Sequence, residues 1–336
     1  MRAAVIAILL VRLAVPQEAQ TPVPELPPAA PTFAVWLSEL RAEATTRGIS
    51  PAVIEKSLTG VEPVPQILER DQAQAEFVLD LNAYLKRRLT RDTVKTAQSR
   101  RTRHATLLTN ISGKYGVPPR VLIAVWGLES SFGQFAGVRP TVPTLVTLAY
   151  DSRRGPMFRN ELFNALQILE RGDIQLEQLK GSWAGALGQP QFMPSNYLLY
   201  AQDFDGDGRR DIWQSQPDVF ASIAYFLQQH GWKGRTWGRE VKVTAAARKA
   251  IDEVPRRPTG CRAVRVMSEP RPLNYWRKIG VRTTANQTLP AGTMLASVVD
   301  MGKRTFLTYE NYDALLGYNC SHNYALSVAL LSDKLR

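Results

Sequence analysis

The sequence predicts a mainly α-helical, α+β protein whose helical domain is interrupted by a small β-rich insert. Three observations point there. Apolar residues recur at three- and four-residue spacing over most of the chain after residue 31. The runs open on N-cap residues and prolines and close on glycines. Between Glu240 and Val299 the helical spacing gives way to short apolar alternations set between prolines and glycines.

The chain begins differently. Met1-Arg2 is followed by an apolar run from Ala3 to Val15, broken only by Arg12, and then by a polar, proline-rich stretch ending near Pro31. A run of roughly a dozen apolar residues is too short to span a bilayer and suits the core of a secretory leader. Residues 1–20 are therefore expected to be a signal peptide and 21–31 a linker. No cysteine follows the run to carry a lipid, so the expected product is exported, soluble and periplasmic.

Residues 32–104 read as an N-terminal helical region. Phe33, Trp36, Leu37, Leu40 and Ala44 share a helical face that stops at Gly48. Ser50-Pro51 reads as an N-cap and first-turn proline opening a short helix to Gly60. Gln72 to Leu89 reads as one helix with Phe77, Leu81 and Leu85 on a face, and the basic run from Lys86 to Arg103 as a solvated helix surface. Residues 105–238 form the expected catalytic domain, 239–304 the β-rich insert, and 305–336 a segment returning to the catalytic domain. Within the insert, Val241-Lys-Val243, Ala263-Val-Arg-Val266 and Val281-Arg-Thr283 read as strands. Tyr318 to Leu335 reads as a helix.

With 336 residues, 44% of them hydrophobic, the chain can build a sizeable core in one to three domains. A formal charge of +12 favours a polyanionic partner. Nucleic acid is excluded by export and by the absence of any helix-turn-helix, zinc-finger or aromatic–basic signature. Two cysteines, Cys261 and Cys320, and three histidines offer no zinc-site spacing. In an exported chain the two thiols either pair or stay separate; sequence alone does not decide.

The most informative segment runs from Gly116 to Gly133. Pro118-Pro119 suits a helix start and Gly133 a helix stop. On that helix Val121, Val125 and Glu129 lie four apart, so a carboxylate occupies a position whose pattern calls for a core residue. A buried carboxylate is costly unless it is paired or kept protonated by a raised pKa. A carboxylic acid held neutral near pH 7 is a proton donor suited to a glycosidic oxygen. The plainer alternative is a helix-end Glu paired with a nearby Arg.

Several blocks carry a resemblance. Lys114-Tyr-Gly-Val-Pro with Trp126-Gly-Leu-Glu-Ser-Ser-Phe-Gly133, Gly181-Ser-Trp-Ala-Gly-Ala-Leu-Gly-Gln-Pro-Gln-Phe-Met-Pro-Ser-Asn-Tyr197, Asp203-Phe-Asp-Gly-Asp-Gly208, His230-Gly-Trp232 and Tyr318-Asn-Cys-Ser-His-Asn-Tyr324 resemble the membrane-bound lytic murein transglycosylase B family. The resemblance spans roughly residues 32–336. It implies a lysozyme-like helical catalytic domain with a cleft for β-1,4-linked amino sugars, and it puts Glu129 at the family's catalytic-acid position. The implied reaction cleaves the bond between N-acetylmuramic acid and N-acetylglucosamine in peptidoglycan without water, leaving 1,6-anhydromuramic ends. A muramidase using water with Asp151 as second carboxylate, and a non-catalytic wall-binding protein, are the competing expectations. Asp151 precedes Ser152-Arg153-Arg154, which equally suits a salt-bridged loop.

Small residues between Gly181 and Gly188 permit close backbone approach, and Ser182, Gln191 and Tyr197 offer hydrogen-bonding groups to a sugar. The resemblance assigns this block, together with Tyr318, Asn319 and Tyr324, to the cleft. Arg153 and Arg154 are candidates for the acidic groups of lactyl and peptide moieties. Asp203, Asp205 and Asp207 alternate before Gly208 as in the first half of a calcium loop, with the Arg209 carbonyl next. Gln214 stands where a bidentate Glu is usual; the resemblance, through the family's longer loop, implies that Asp218 reaches back instead. The expected metal is a structural Ca2+, with no cofactor for catalysis. The expected partners are glycan strands and proteins of wall synthesis or turnover, and the expected state is a monomer.

Overall fold

The computed structural model describes residues 31–73, 79–151, 153–234 and 236–336. The predicted leader, the linker up to residue 30 and Phe77 lie outside the described residues. Six helices come first: α1 Phe33–Thr46, α2 Pro51–Leu58, α3 Pro65–Ala73, α4 Leu81–Arg88, α5 Arg91–Arg103 and α6 Ala105–Tyr115. The capping signals act as read. Ser50 Oγ accepts from Val53 N with Pro51 in the first turn, and Gly48 closes α1 in the left-handed region.

The single helix expected over 72–89 is not formed. Asp80 is extended and its carboxylate accepts from Ala83 N, so α4 starts afresh there. Thr90 caps α5 in the same way. Local side-chain acceptors that satisfy helix-end N–H groups override a hydrophobic period that runs past them.

α7, Pro119–Ser130, is buried along almost its whole length. A two-residue strand β1, Arg139–Pro140, leads into α8, Thr141–Tyr150, and α9, Gly155–Glu170. β2, Lys180–Gly181, pairs antiparallel with β1. α10, Pro194–Tyr200, and α11, Gln216–Gln229, complete the middle of the chain. α5, α6 and α11 surround α7, while α8 and α9 pack on each other and on α3 and α2. A single apolar core joins Trp36 and Leu40 of the N-terminal helices to Val121, Val125 and Leu166. The 32–104 region therefore shares one core with the central helices: His104, between α5 and α6, packs its ring 5.8 Å from Trp126 and 5.4 Å from Phe220.

The insert has its own core around the fully buried Trp276. Its strands are β3 Gly238–Lys242, β4 Arg271–Pro272, β5 Arg282–Thr283, β6 Leu295–Asp300 and β7 Thr305–Thr308, in the antiparallel order β4-β6-β7-β3-β5. β7 lies beyond the expected boundary at 304. It cannot be left out, because it pairs β3 on one side and β6 on the other. α12 Ala245–Asp252 and α14 Leu273–Lys278 share the sheet's core, whereas α13 Arg262–Arg265 packs on the later helix Glu310–Tyr318 and joins the main core through Ala263. The strand expected over Ala263–Val266 is instead α13. Ala263 is buried and Val266 exposed, and four residues are too few for an apolar alternation to outweigh a helical turn closed by the Arg265 N–H on Cys261 O at 3.1 Å.

The chain then returns through α15, Glu310–Tyr318, and α16, His322–Asp333. Helical structure resumes at Glu310, earlier than expected, and breaks at Asn319–Ser321 before α16 packs along α7. Cys261 and Cys320 are joined as a disulfide with Cα atoms 6.2 Å apart, 59 positions from each other in sequence. Among the described residues no helix is long and apolar enough to cross a membrane.

Candidate active site

Glu129 sits in the last turn of α7. The helix ends abruptly, because Ser131 and Phe132 both take left-handed backbone (φ 50° and 61°) ahead of Gly133 (φ 84°). Two consecutive non-glycine residues there cost of order 1–3 kcal/mol each, and such strain persists only where the surroundings enforce it. Here they do. Phe132 folds back over Gly127, where a Cβ would sit 2.4 Å from its ring. Ser130 Oγ donates to Trp126 O at 3.0 Å and accepts from Gly133 N at 3.1 Å.

Glu129 as a residue is half-buried, and protein crowds its carboxyl. Burial pushes its pKa from 4.5 up to about 7, against the opposing pull of Tyr324 and of the Arg88 charge. Arg88, from α4, donates to the carbonyl of Leu128, the residue before Glu129. Its Nε is buried without a partner. Periodicity placed Arg88 in a solvated basic run; only a long-range contact distinguishes it from Arg87.

Tyr324 on α16 is buried with its hydroxyl facing Glu129, close enough to favour the carboxylate, yet the hydroxyl has no partner within 3.5 Å. Tyr318 stacks against Tyr324 with ring centroids 6.3 Å apart. The Tyr318 hydroxyl donates to Pro190 O at 2.7 Å, a contact across 128 residues. Burial raises both phenol pKa values, and the Glu129 charge adds to the rise. Asn319 lies exposed at the break after α15, its N–H donating to Leu315 O.

The Gly181–Tyr197 block closes another side. It is brought to α7 by the β1–β2 pair, in which Arg139 faces Gly181. Gly137 (φ 102°) lets the two backbones cross, since a Cβ there would lie 2.5 Å from Gly181 Cα. Gln189 holds the block from inside: its Oε1 accepts from Trp126 Nε1 at 2.7 Å and its Nε2 donates to Trp213 O at 2.6 Å. Sequence reading passed over Gln189, because nothing local separates it from Gln191. Ser182 and Gln191 are half-buried. Ser182 Oγ accepts from Ala184 N and Ala186 N, and Gln191, itself left-handed (φ 55°), donates to Gly188 O at 2.7 Å. Gln191 adjoins Pro190, which receives the Tyr318 hydroxyl.

Tyr197 does not belong with them. It is wholly buried and its hydroxyl donates to Arg210 O at 3.0 Å, so it ties the following loop to α10 and reaches no cleft. Asp151 and Arg153 pair with each other at 3.1 Å. The Arg153 charge and hydrogen bonds hold the Asp151 carboxyl below its usual pKa. Arg154 lies over the Phe158 ring at 4.8 Å. This is the geometry of a salt-bridged loop.

On the far side of α10, oxygens of Asp203, Asp205 and Asp218 all lie within 4.8 Å of one another. Asp218 does reach back from α11, accepting from Phe204 N at 2.7 Å and Asp211 N at 2.8 Å. Burial and the two neighbouring aspartates raise its pKa to about 6. Asp207 stands outside the converging group, because its carboxylate is turned to the Arg209 N–H at 2.8 Å. Three carboxylates gathered this way, one of them buried, fit a hard oxygen-seeking cation.

Residues 32–333 match the family model described as "Transglycosylase SLT domain". The membrane-bound lytic murein transglycosylase B of Escherichia coli strain K12 is 31% identical over 218 residues, which is 64% of this chain and 56% of that protein. The chain thus spans little more than half the length of this curated relative. Among solved structures, SltB3 from Pseudomonas aeruginosa in complex with NAG-anhNAM-pentapeptide superposes with a TM-score of 0.82 at 35% identity, over 90% of this chain and 79% of that one. Slt35 of Escherichia coli in complex with calcium superposes with a TM-score of 0.72 over 89% of this chain and 92% of that one. At 24% identity this last likeness is one of fold.

Proposed function

Since this chain belongs to the family of transglycosylase SLT domains, we propose that it cleaves the β-1,4 bond between N-acetylmuramic acid and N-acetylglucosamine in peptidoglycan and leaves 1,6-anhydromuramic ends. The observation that carries the reading is the Glu129 carboxyl, raised to about pKa 7 beside an unsatisfied buried tyrosine hydroxyl. At neutral pH a large share of Glu129 is protonated and ready to donate to the bridging oxygen. The C–O bond breaks as that proton arrives, and the muramic N-acetyl group supports the oxocarbenium-like centre. Glu129, now a carboxylate, takes the proton of the sugar's own C6 hydroxyl as that oxygen closes on C1. Atoms balance without water, and the acid is regenerated.

Ser182, Gln191, Tyr318 and Tyr324 are the groups we assign to sugar contacts. The water-using alternative has less support, because Asp151 is committed to Arg153. Digestion of purified sacculi followed by mass spectrometry tests the reaction: anhydro ends are expected, and reducing ends alone would point to a hydrolase. Export to the periplasm is supported by the disulfide, since such bonds persist in oxidising compartments.

Arg88 has a separate, measurable part in this reading. Its charge favours the Glu129 carboxylate, so removing it raises the Glu129 pKa further. Activity needs the protonated acid and falls as pH rises through that value. The alkaline limb of the pH–rate profile in Arg88→Met is therefore expected at higher pH than in wild type. The maximal rate should drop about 10-fold as the product carboxylate loses support. Arg88→Lys keeps the wild-type limb. An unmoved limb in Arg88→Met would mean that Arg88 only braces the Leu128 carbonyl.

We also propose that Asp203, Asp205 and Asp218 hold a structural calcium ion, a reading supported by their convergence. It would tie the 203–211 loop to α11, away from the reacting atoms. Adding Ca2+ at about 100 times its Kd should stabilise the protein by about 2.7 kcal/mol, seen as a rise in Tm that EDTA reverses. Asp205→Asn should lose that rise. A Tm indifferent to millimolar calcium removes the ion from the account.

A further inference from the structure

Glu129 is carried by a short stretch of chain that one buried amide grips on both sides. Three residues before the acid, Trp126 Nε1 donates to Gln189 Oε1 at 2.7 Å. Four residues after it, Gly133 lies so close to the same oxygen that a Cβ there would stand 2.6 Å away. Gln189 is 4% exposed and Trp126 2%, so water does not compete for either contact. The other half of the amide looks away from α7. Its Nε2 donates to Trp213 O at 2.6 Å, and the Gln189 backbone N–H donates to Ile212 O at 2.9 Å. Trp213 is fixed in turn: its N–H donates to the Asp211 carboxylate at 2.9 Å, and Asp211 N donates to the Asp218 carboxylate at 2.8 Å.

Filling this space would be served as well by an apolar side chain. A buried amide is costly unless its donors and acceptor are met, and once met it holds its partners at a set distance and direction. Here it does so where α7 is hardest to hold. Ser131 and Phe132 are left-handed, and such backbone lasts only while its surroundings enforce it. Ser130 Oγ bridges Trp126 O and Gly133 N, which makes the gripped stretch one unit. Trp126 and Glu129, three apart, are neighbours on the helix surface, so a displaced indole displaces the acid. Gln189 is itself too deeply buried to touch a sugar.

We propose that Gln189 is a positioning residue for the acid: by gripping residues 126–133 against the 212–213 backbone, it fixes where Glu129 points. The inference rests on the proposed reaction at Glu129. Gln189→Met keeps the length of the side chain and removes its hydrogen bonds. On purified glycan strands its kcat is expected to fall about 30-fold, a loss of the size that misplacing a reacting group brings, with KM within about 2-fold of wild type. The alkaline limb of its pH–rate profile should also move down by about half a pH unit or more, because a carboxyl released from its neighbours regains water. Among the described residues, Arg88 on α4, Tyr318 on α15 and Tyr324 on α16 are the charged and titratable groups that face Glu129, and the variant removes none of them.

A side chain that only fills space would lower Tm and the active fraction and leave the limb in place. That result overturns the proposal and leaves the reaction standing, as does a loss confined to KM. Should Gln189→Met not fold, Gln189→Asn replaces it, being one CH2 too short to reach Trp126 and Trp213 together. A lowered limb in that variant supports the grip, and a wild-type limb overturns it. If wild type releases no anhydro ends, the reaction itself is refuted. In that event 13C NMR titration of the Glu129 carboxyl, assigned through Glu129→Gln, judges the grip alone. A midpoint lowered by about half a pH unit or more in the Gln189 variant supports it, and an unchanged midpoint overturns it.

Discussion

Glu129→Gln is expected to lower the release of anhydromuropeptides from sacculi by about 10³-fold, within the range a positioned general acid supplies. Fold and substrate binding should be retained, because Gln matches Glu in shape and hydrogen-bonding reach. The same substitution carries a stability signature of known sign. In the folded protein Glu129 holds its proton up to about pH 7, whereas a Glu in the unfolded chain releases it near 4.5. Between those values the folded state binds more protons, so wild-type stability falls as pH rises through the window and levels off above it.

Gln has no proton to lose. The variant should therefore match wild type at pH 4 and exceed it at pH 8, by up to about 3 kcal/mol. Thermal melts at the two pH values, run beside the sacculus assay, check both claims. A variant that is inactive but shows no gain at pH 8 would mean that Glu129 is not held protonated by its surroundings. A fully active variant would remove it as the acid.

Breaking the Cys261–Cys320 bond is the second large effect. The closed loop has 59 residues of separation, and releasing it restores chain entropy worth about 4 kcal/mol to the unfolded state. The loss should appear as a lower denaturant midpoint in Cys261→Ser/Cys320→Ser and in reduced wild type. Activity should fall further than stability alone accounts for. Cys320 stands between Tyr318 and Tyr324, and Ala263 N donates to its sulfur, so the bond fixes the segment that faces Glu129. A midpoint lowered by less than about 1 kcal/mol, with full activity, would make the bond incidental.

Much of this was legible from residue pattern, for reasons that are local. Glu129 stood out because a carboxylate on an apolar stripe breaks the 3.6-residue rule wherever the helix sits. Ser50-Pro51 and Gly48 marked helix ends through capping chemistry that needs no tertiary contact. Asp203 and Asp205 could be grouped because a carboxylate-rich turn has a short reach, whereas Asp207, read with them, turns away, and Asp218 came only from the family resemblance.

What escaped depends on the other end of a long contact. Arg88 matters through one carbonyl 40 residues away. Gln189 matters through the Trp126 indole, 63 residues away. Tyr197 has the hydroxyl of a cleft residue, but a fully buried position spends it on Arg210 O. Asp80 and Thr90 cut a predicted helix because their side chains out-competed an apolar period that continued past them.

Glu129 and the tyrosines that complete its surroundings, Tyr318 and Tyr324, lie far apart in sequence, with the whole insert synthesised between them. A growing polypeptide that has made α7 but not α16 carries a lone carboxyl on an unfinished wall. Late, long-range closures are also the slow ones. The surroundings of Glu129 are therefore expected to close last, and on the proposed reading a chain that lacks α16 would hold no working acid.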